Sequence, residues 1–334
     1  MNDWELNLQL FADETNKSTN TEMTAEMKTF YKTALLQFAE PNLVFSRYAK
    51  KVPIPKNNGK TIEFRYMSPL PVVTSDIAEG VTPDALKLTM NSMTESLRQI
   101  GAWVRLTDVL QMTAVDPIVL EATKALGSQA GKSCDTMTRD VVSAGTQVLY
   151  APKFASGAYT QVTARAGMDL TCTMSVDLLF KAAAMLKGQD APTIGSEYVA
   201  VMHPYVAYDL MRTQEWKDIV KGQHAEKIFD GEIGKVGNVR VVESTRAKIW
   251  GDATSGGYSV FATMVLGADA YAETELEGEG LKHIVKQLGY GDDPLEQRSS
   301  VGWKALRLAK RLVENYMARI ETVSSFSGGK APEN

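Results

Sequence analysis

The stretch DPIVLEATKALGSQAGKSCDTMTRDVVSAGTQV, residues 116–148, governs how the rest of this chain is read. Asp116 suits a helix cap and Pro117 a first helical position, where its missing N–H leaves no hydrogen bond unmade. Val119, Ala122, Leu126, Ala130, Cys134, Met137, Val141, Ala144 and Val148 then step by three or four without a break. That spacing predicts one apolar stripe on a single helix of about 32 residues, roughly 48 Å long. A helix of this length in a globular chain serves as a spine across which other elements pack. The same stretch contains GSQAGKS, residues 127–133, which imitates a phosphate-binding loop. Its glycines are separated by three residues instead of the four that such a loop needs, and amides inside a helix are already bonded to carbonyls. Nucleotide binding is not expected there.

Upstream of the spine the pattern is extended. KTIEFRYM, residues 60–67, alternates, with Ile62, Phe64 and Tyr66 on one side and Glu63 and Arg65 on the other. A connection rich in Pro, Gly and acids, SPLPVVTSDIAEGVTPDALK, residues 68–87, leads into a second alternating stretch that runs to Asp108. The pattern predicts a long hairpin over 51–107 with a tip of little apolar content. A bare hairpin is marginal in water, so its Met, Leu and Ile positions are expected to lie against a partner subunit. Residues 22–50 read as helical, with Met23, Met27, Tyr31, Leu35 and Phe38 at helical spacing. Before them, WELNLQLF and a polar stretch make up residues 1–25, which read either as a frayed tail or as an arm that orders on a neighbour.

Downstream, helix and strand alternate over about 170–267, as in a compact α/β subdomain. SVDLLFKAAAMLKG, residues 175–188, is a capped helix stopped by Gly188; EYVAVMHP is a buried strand; PYVAYDLMR is a helix opening at Pro204. VGNVRVVES and YSVFATMVLG are further strands. Residues 268–334 mix strand and helix periods without separating them.

Composition narrows the classes of function. The chain has 334 residues, 44% of them hydrophobic and 23% charged, with a formal net charge of −4. It is large enough to bury a sizeable core, and it has no overall basic field to hold DNA or an anionic membrane. Cys134 and Cys172 lie far apart, which suits a reducing cytoplasm, and the acidic N-terminus does not read as a signal peptide. No apolar run is long enough to span a bilayer. His203, His224 and His283 are scattered and no Cys neighbours a His, so no metal site is expected. Glu273, Glu275, Glu277 and Glu279 alternate, and read as a solvated acidic edge in preference to a cation site. AVMHPYVAYDL, residues 200–210, gathers His203, Tyr205, Tyr208 and Asp209. With no second histidine or nucleophile motif beside it, His203 is expected to cap the following helix, and Asp209 to pair with Arg212 three positions on.

Three stretches carry a resemblance. LNLQLFADE, residues 6–14, resembles the opening of many structural proteins of tailed bacteriophages. VAVMHPYVAYDLMR, residues 199–212, resembles the strand–His-Pro–helix segment of the axial domain of phage coat proteins. DPLEQRSSVGWKALRLAKRLVENYMARIETV, residues 293–323, is similar to the closing segment of the major capsid proteins related to the coat protein of the Escherichia phage N-four. The resemblance implies an α+β fold of the type first described in the Hong Kong phage coat. Its parts would be an N-terminal arm and first helix (1–50), an extended hairpin or E-loop (51–107), and a peripheral domain (108–168) with spine helix 117–149. An axial domain (169–267) and a return to the peripheral domain (268–334) would complete it. Few residues precede the arm, so a long N-terminal scaffolding segment is not expected.

The function implied is that of a major capsid protein, not an enzyme, self-assembling into the hexamers and pentamers of an icosahedral shell around packaged double-stranded DNA. Partners would be other copies, a portal protein at one vertex, and scaffolding and decoration proteins, with no cofactor, no membrane and no sequence-specific DNA binding. The shell would be part of the virion and assembled in the host bacterial cytoplasm. The assembly contacts expected are Trp4, Leu8 and Phe11 in the arm, Asp76, Glu79 and Gly80 at the hairpin tip, and His203, Asp209, Arg212 and Trp216 in the axial segment. Two other readings stay open: an encapsulin-like nanocompartment shell, and a cytoplasmic α/β enzyme centred on His203.

Overall fold

In a computed structural model of the chain the spine helix spans Ile118–Ser143, 26 residues, and so stops short of the expected 149. The structure describes residues 33–39, 42–54, 61–67, 70–74, 76, 80, 82–114, 117–155, 157–222, 232–276, 281–291 and 293–334. In chain order, residues 33–39 form helix α1, followed by strands β1 (Lys50–Ile54), β2 (Thr61–Met67), β3 (Met90–Ser96) and β4 (Arg98–Thr107). The short helix α2 (Asp108–Thr113) and the spine α3 (Ile118–Ser143) lead to strands β5 (Val148–Tyr150), β6 (Lys153–Ala155) and β7 (Ala158–Thr160). Helix α4 (Val176–Lys187), strand β8 (Tyr198–Met202) and helices α5 (Pro204–Arg212) and α6 (Gln214–Gly222) come next. The remainder is strand: β9 (Glu232–Val236), β10 (Val239–Glu243), β11 (Ile249–Trp250), β12 (Val260–Leu266), β13 (Tyr271–Leu276), β14 (Lys282–Lys286), β15 (Arg298–Arg311) and β16 (Met317–Val323).

The contacts divide the chain into two units. The smaller takes residues 101–130 and 281–304 together with α1. In it, α1 and α3 meet backbone to backbone at Gly127, where a Cβ would stand 2.7 Å from the carbonyl oxygen of Leu35. Glycine is therefore the residue that lets the two helices touch. The pseudo-motif 127–133 is helical throughout, as its place on the stripe requires. β14 pairs antiparallel with β15, from Lys282↔Lys304 to Lys286↔Ser300. The Trp303 indole N–H donates to Gln129 Oε1 on α3 at 3.1 Å, tying that strand to the spine.

The larger unit is built on a sheet of order β5-β16-β12-β8-β10-β9, with β11 on β12. β8, β12 and β16 are buried along their whole length because both faces of the sheet are covered. Tyr198, Ala200 and Met202 enter the core under α4 and α5, whereas Val199 and Val201 join Phe45, Val142, Met264 and Tyr271 on the other face. The strands β5 and β16 complete the sheet, so the boundaries expected at 168 and 267 cut through one sheet. Ser175 caps α4 by accepting the Leu178 N–H at 3.4 Å, and Gly188 closes it in a right-handed conformation. The left-handed residue of that turn is Asp190, at φ 54°.

One expectation is corrected here, and one segment left open by its sequence is assigned. First, the spine ends at Ser143 because Arg319, buried on β16, donates to the carbonyls of Ser143 and Gly145, the latter at 2.9 Å. These are terminal carbonyls that no further helical turn could satisfy. Val148, which continued the stripe on paper, belongs to β5 and pairs with Arg319. The buried face also turns polar along the helix: Leu126, Ala130 and Cys134 are buried, but beyond them Asp135, Thr138, Arg139 and Val142 point inward, and Ala144 is exposed.

Second, residues 298–311 are one long strand. Ser299, Val301, Trp303, Ala305 and Arg307 are buried at every second position. An arginine on the inward face disguised that alternation.

Candidate functional site

Three places could carry function: the hairpin, the strand–helix joint at His203, and a buried ionic centre around Glu273.

The hairpin pairs from Thr61↔Ser96 to Met67↔Met90. Its base is anchored, since Phe64 and Leu97 pack with Ala272 and Leu308, and Lys310 forms an ion pair with Glu95. β1 and β4, expected as parts of the hairpin, pair elsewhere: β1 runs parallel to β13 and β4 pairs with β15. Beyond Met67 and Met90, residues 70–74 and 82–89 have no strand pairing and are exposed. The tip is also more apolar than expected, for Val72 is 87% exposed and Val73, Leu86 and Leu88 are open as well. Among the predicted contacts, Asp76 and Gly80 are exposed, with Gly80 in a left-handed turn at φ 78°. Glu79, Trp4, Leu8 and Phe11 lie outside the described residues. In the smaller unit, Trp103 is 61% exposed beside an apolar hollow of about 690 Å³ lined by Val104, Ile118, Ala122 and Leu126. Nothing in the sequence marks that surface, because an exposed tryptophan on an alternating strand has the same pattern as a core tryptophan.

At the joint, His203 caps α5: its Nδ1 accepts the Tyr205 N–H at 3.2 Å, and its ring packs 5.2 Å from Phe261. Burial, aided by the Arg246 charge, pulls its pKa down to about 4. The imidazole is therefore neutral at pH 7, and the capping nitrogen keeps the lone pair it needs. Asp209 is also buried. It takes no part in an ion pair with Arg212; it accepts from Ser324 Oγ at 2.7 Å, the Ser325 N–H at 2.9 Å and the Ser325 hydroxyl. Arg212 is exposed and lies over the Tyr208 ring, 5.7 Å from its centroid. Trp216 is buried against Gly234, where a Cβ would lie 3.4 Å from the indole. Of the four axial residues predicted as contacts, only Arg212 reaches the surface. The outward face of α5 adds Tyr208 and Met211, and Phe326 stacks on Tyr205 at 4.1 Å. The signal for Tyr208 was available, since it falls on the side of α5 away from Val206 and Leu210, with Met211 three positions on at the flank.

The third place is interior. Glu273 was expected on a solvated edge, yet it is 1% exposed. It accepts from Lys51 Nζ at 2.5 Å, Ser46 Oγ at 3.1 Å and Thr138 Oγ1 at 3.4 Å, and pairs with Arg307 at 3.0 Å. Beside it Asp135 accepts the backbone N–H groups of Phe45 (2.7 Å) and Ser46 (3.2 Å). Burial raises the Asp135 pKa to about 6 against the pull of these bonds. The centre joins β1, the turn at 45–46, α3, β13 and β15, and apart from the half-exposed Lys51 its members are buried, which makes it a fastening for the fold. Among the described residues no group of His, Cys, Asp and Glu could hold a metal ion, and no helix is long and apolar enough to cross a membrane. Cys134 and Cys172 are both free and buried.

The structure is similar to the capsid of Ralstonia phage GP4, at 14% identity, covering 96% of this chain and 98% of that one, with a TM-score of 0.64. It is similar to the capsid of the cyanophage P-SCSP1u, at 16% identity, 96% and 94% coverage, and a TM-score of 0.58. The holo-SrpI encapsulin complex from Synechococcus elongatus shares 9% identity, 95% and 96% coverage, and a TM-score of 0.54. These likenesses show the Hong Kong phage-type capsid fold. Comparison with curated proteins finds no match. A family model described as phage capsid protein matches residues 92–319, from the returning strand of the hairpin through the spine and the sheet to β16. The chain belongs to the phage capsid protein family.

Proposed function

We propose that this major capsid protein builds the shell of a tailed bacteriophage, self-assembling into the hexamers and pentamers of an icosahedral container for packaged double-stranded DNA. The observation that carries this reading is the family match over residues 92–319, which holds the hairpin's return, the spine and the axial sheet in one frame. Physical features support it. Val72, Val73, Leu86 and Leu88 are left in water by the subunit itself, and a neighbouring copy would bury them. A net charge of −4 gives no strong attraction for DNA, which must slide during packaging.

On this reading Asp76, Gly80 and Arg212 touch neighbouring copies, and so do Glu79 and the arm residues Trp4, Leu8 and Phe11. His203, Asp209 and Trp216 act from inside, by fixing the shape of the joint. Portal, scaffolding and decoration proteins would be its partners, and assembly would take place in the host bacterial cytoplasm. The closing segment 293–323 supports placing the chain in the branch related to phage N-four.

A second reading, an encapsulin-like nanocompartment, is favoured by the likeness to the encapsulin complex. An enzyme centred on His203 is not proposed, because that imidazole is a buried helix cap. Negative-stain microscopy of the protein purified from its natural source tests the proposal. DNA-filled particles with a portal vertex are expected; closed shells loaded with a protein cargo instead would select the nanocompartment, and a small oligomer would overturn both.

A further inference from the structure

The last residues of the chain lie in a groove that meets them group by group. Gly328 and Gly329 are both left-handed, at φ 64° and 78°, and turn the chain out of the short helical turn Phe326–Gly329. From there KAPEN, residues 330–334, runs without secondary structure. The Ser259 N–H donates to the Gly329 carbonyl at 2.8 Å. The Ser259 hydroxyl donates to the Ala331 carbonyl at 2.6 Å and accepts the Ala331 N–H at 2.9 Å. Gly251 leaves room for the passing backbone, since a Cβ there would already stand 3.4 Å from Glu333. Asn334 is then bound through both ends of its amide. Oδ1 accepts the Ile249 N–H and Arg139 Nη1, each at 3.0 Å, while Nδ2 donates to the Ala247 carbonyl at 3.0 Å. The Lys248 ammonium donates to the Asn334 backbone oxygen.

We propose that this groove is a peptide-binding site whose ligand is an extended segment presenting asparagine five residues after the glycine hinge, filled in this structure by the chain's own residues 329–334. The division of labour matches strand-like peptide recognition, in which backbone bonds supply affinity and one side chain supplies specificity. Ser259 contacts only groups that every peptide carries. Asn334 does the reading, because its carbonyl meets two donors and its amide meets one acceptor, an arrangement that alanine lacks and aspartate reverses at Nδ2. Arg139 is a spine residue only 2% exposed, bonded otherwise to Asp140 and to the Arg246 carbonyl, so the tail completes the shell of a buried guanidinium. Pro332 has no N–H to satisfy and restricts its own backbone, which lowers the entropy lost on seating. The segment thereby ties α3 to β11 and to Ser259 just before β12, and the glycine pair gives it a hinge about which it could leave without moving β16.

A variant lacking residues 330–334, mixed with a labelled synthetic peptide GGKAPEN, provides the test by fluorescence anisotropy. Saturable binding is expected, weakened about tenfold or more when the peptide asparagine is replaced by alanine. Absence of saturable binding, or equal binding of the alanine peptide, overturns the proposal. If the shortened variant does not fold, the 334-residue chain carrying Asn334→Ala is digested with trypsin, which cuts after the exposed Lys330. Release of the final four residues several-fold faster than from the unsubstituted chain, with unchanged near-ultraviolet dichroism, supports the site; an unchanged release rate refutes it.

Discussion

The carboxylate of Asp209, on α5, accepts the backbone N–H of Ser325 at 2.9 Å, although 116 positions separate them. Asp209 holds the chain where it leaves β16, and with the Ser324 and Ser325 hydroxyls its oxygens are fully engaged. Asp209→Ala would remove three hydrogen bonds at a buried carboxylate, and is expected to lower stability by about 1–3 kcal/mol. Arg212→Ala, on the exposed side of the same helix, should stay within about 0.5 kcal/mol. Urea denaturation of the two variants checks the contrast. Equal losses would restore the Asp209–Arg212 pair that the sequence suggested.

Glu273 has four partners, Lys51, Ser46, Thr138 and Arg307, of which Arg307 is itself buried. Removing the carboxylate in Glu273→Ala strands that guanidinium in the interior, a change expected to remove about 3–5 kcal/mol. Thermal unfolding of the unassembled subunit measures it. A loss under about 1 kcal/mol would mean the centre is not the fastening described.

Asp135 and His203 respond to acid in opposite directions. The folded pKa of Asp135 is raised, to about 6 from 3.8, by burial, with the Glu273 charge adding to it and Arg139 opposing. The folded state therefore binds this proton more tightly than the unfolded one, and the contribution is present at low pH and lost as pH rises through 6. His203, lowered from 6.5 to about 4, contributes stability present above 6.5 and lost as pH falls toward 4. Each is worth on the order of 3 kcal/mol, so between pH 4 and 6 the two trends oppose each other in the native protein. Asp135→Asn should steepen the acid loss over that window, whereas His203→Asn, which keeps a capping oxygen, should reverse it. Stability measured at half-unit steps from pH 4 to 7 decides whether the slopes separate this way.

Val72 makes no use of its side chain within the subunit. Val72→Asp should leave subunit stability unchanged within about 0.5 kcal/mol while lowering the yield of closed shells about tenfold or more. Particle counts by electron microscopy, alongside unfolding curves, separate the two effects. Normal shells from this variant, or from one lacking residues 75–85, would remove the hairpin tip from the list of contacts.

Gly127 has no room for a methyl group, since the Leu35 carbonyl lies 2.7 Å from where its Cβ would be. Alanine normally stabilises a helix interior by about 1 kcal/mol relative to glycine. Here Gly127→Ala should instead destabilise, by about 1–3 kcal/mol, because the α1–α3 contact must open. A rise in melting temperature would show that the two helices can separate without loss.

Local rules carried much of the reading. The stripe Leu126, Ala130, Cys134 on the spine, the all-buried run Tyr198–Met202, the Ser175 cap and the helix opening at Pro204 all stand as their residues dictate. Each depends on spacing or capping within a few positions of itself, and such patterns survive in a linear string. What the string could not hold was the identity of distant partners. Glu273 looked like one member of an acidic edge until Lys51 and Arg307 were brought beside it. Asp209 had Arg212 within reach on its own helix, yet its carboxylate turned inward to Ser324 and Ser325. Residues 298–311 kept two periods alive until the buried Arg307 acquired its counter-charge and made the strand possible. The spine's end at Ser143 was set by Arg319, a residue supplied from the far end of the chain. The sequence by itself determined where apolar faces and helix caps fall. Only the tertiary structure decided which charges go inside, because a buried charge is tolerated where folding delivers its partner and nowhere else.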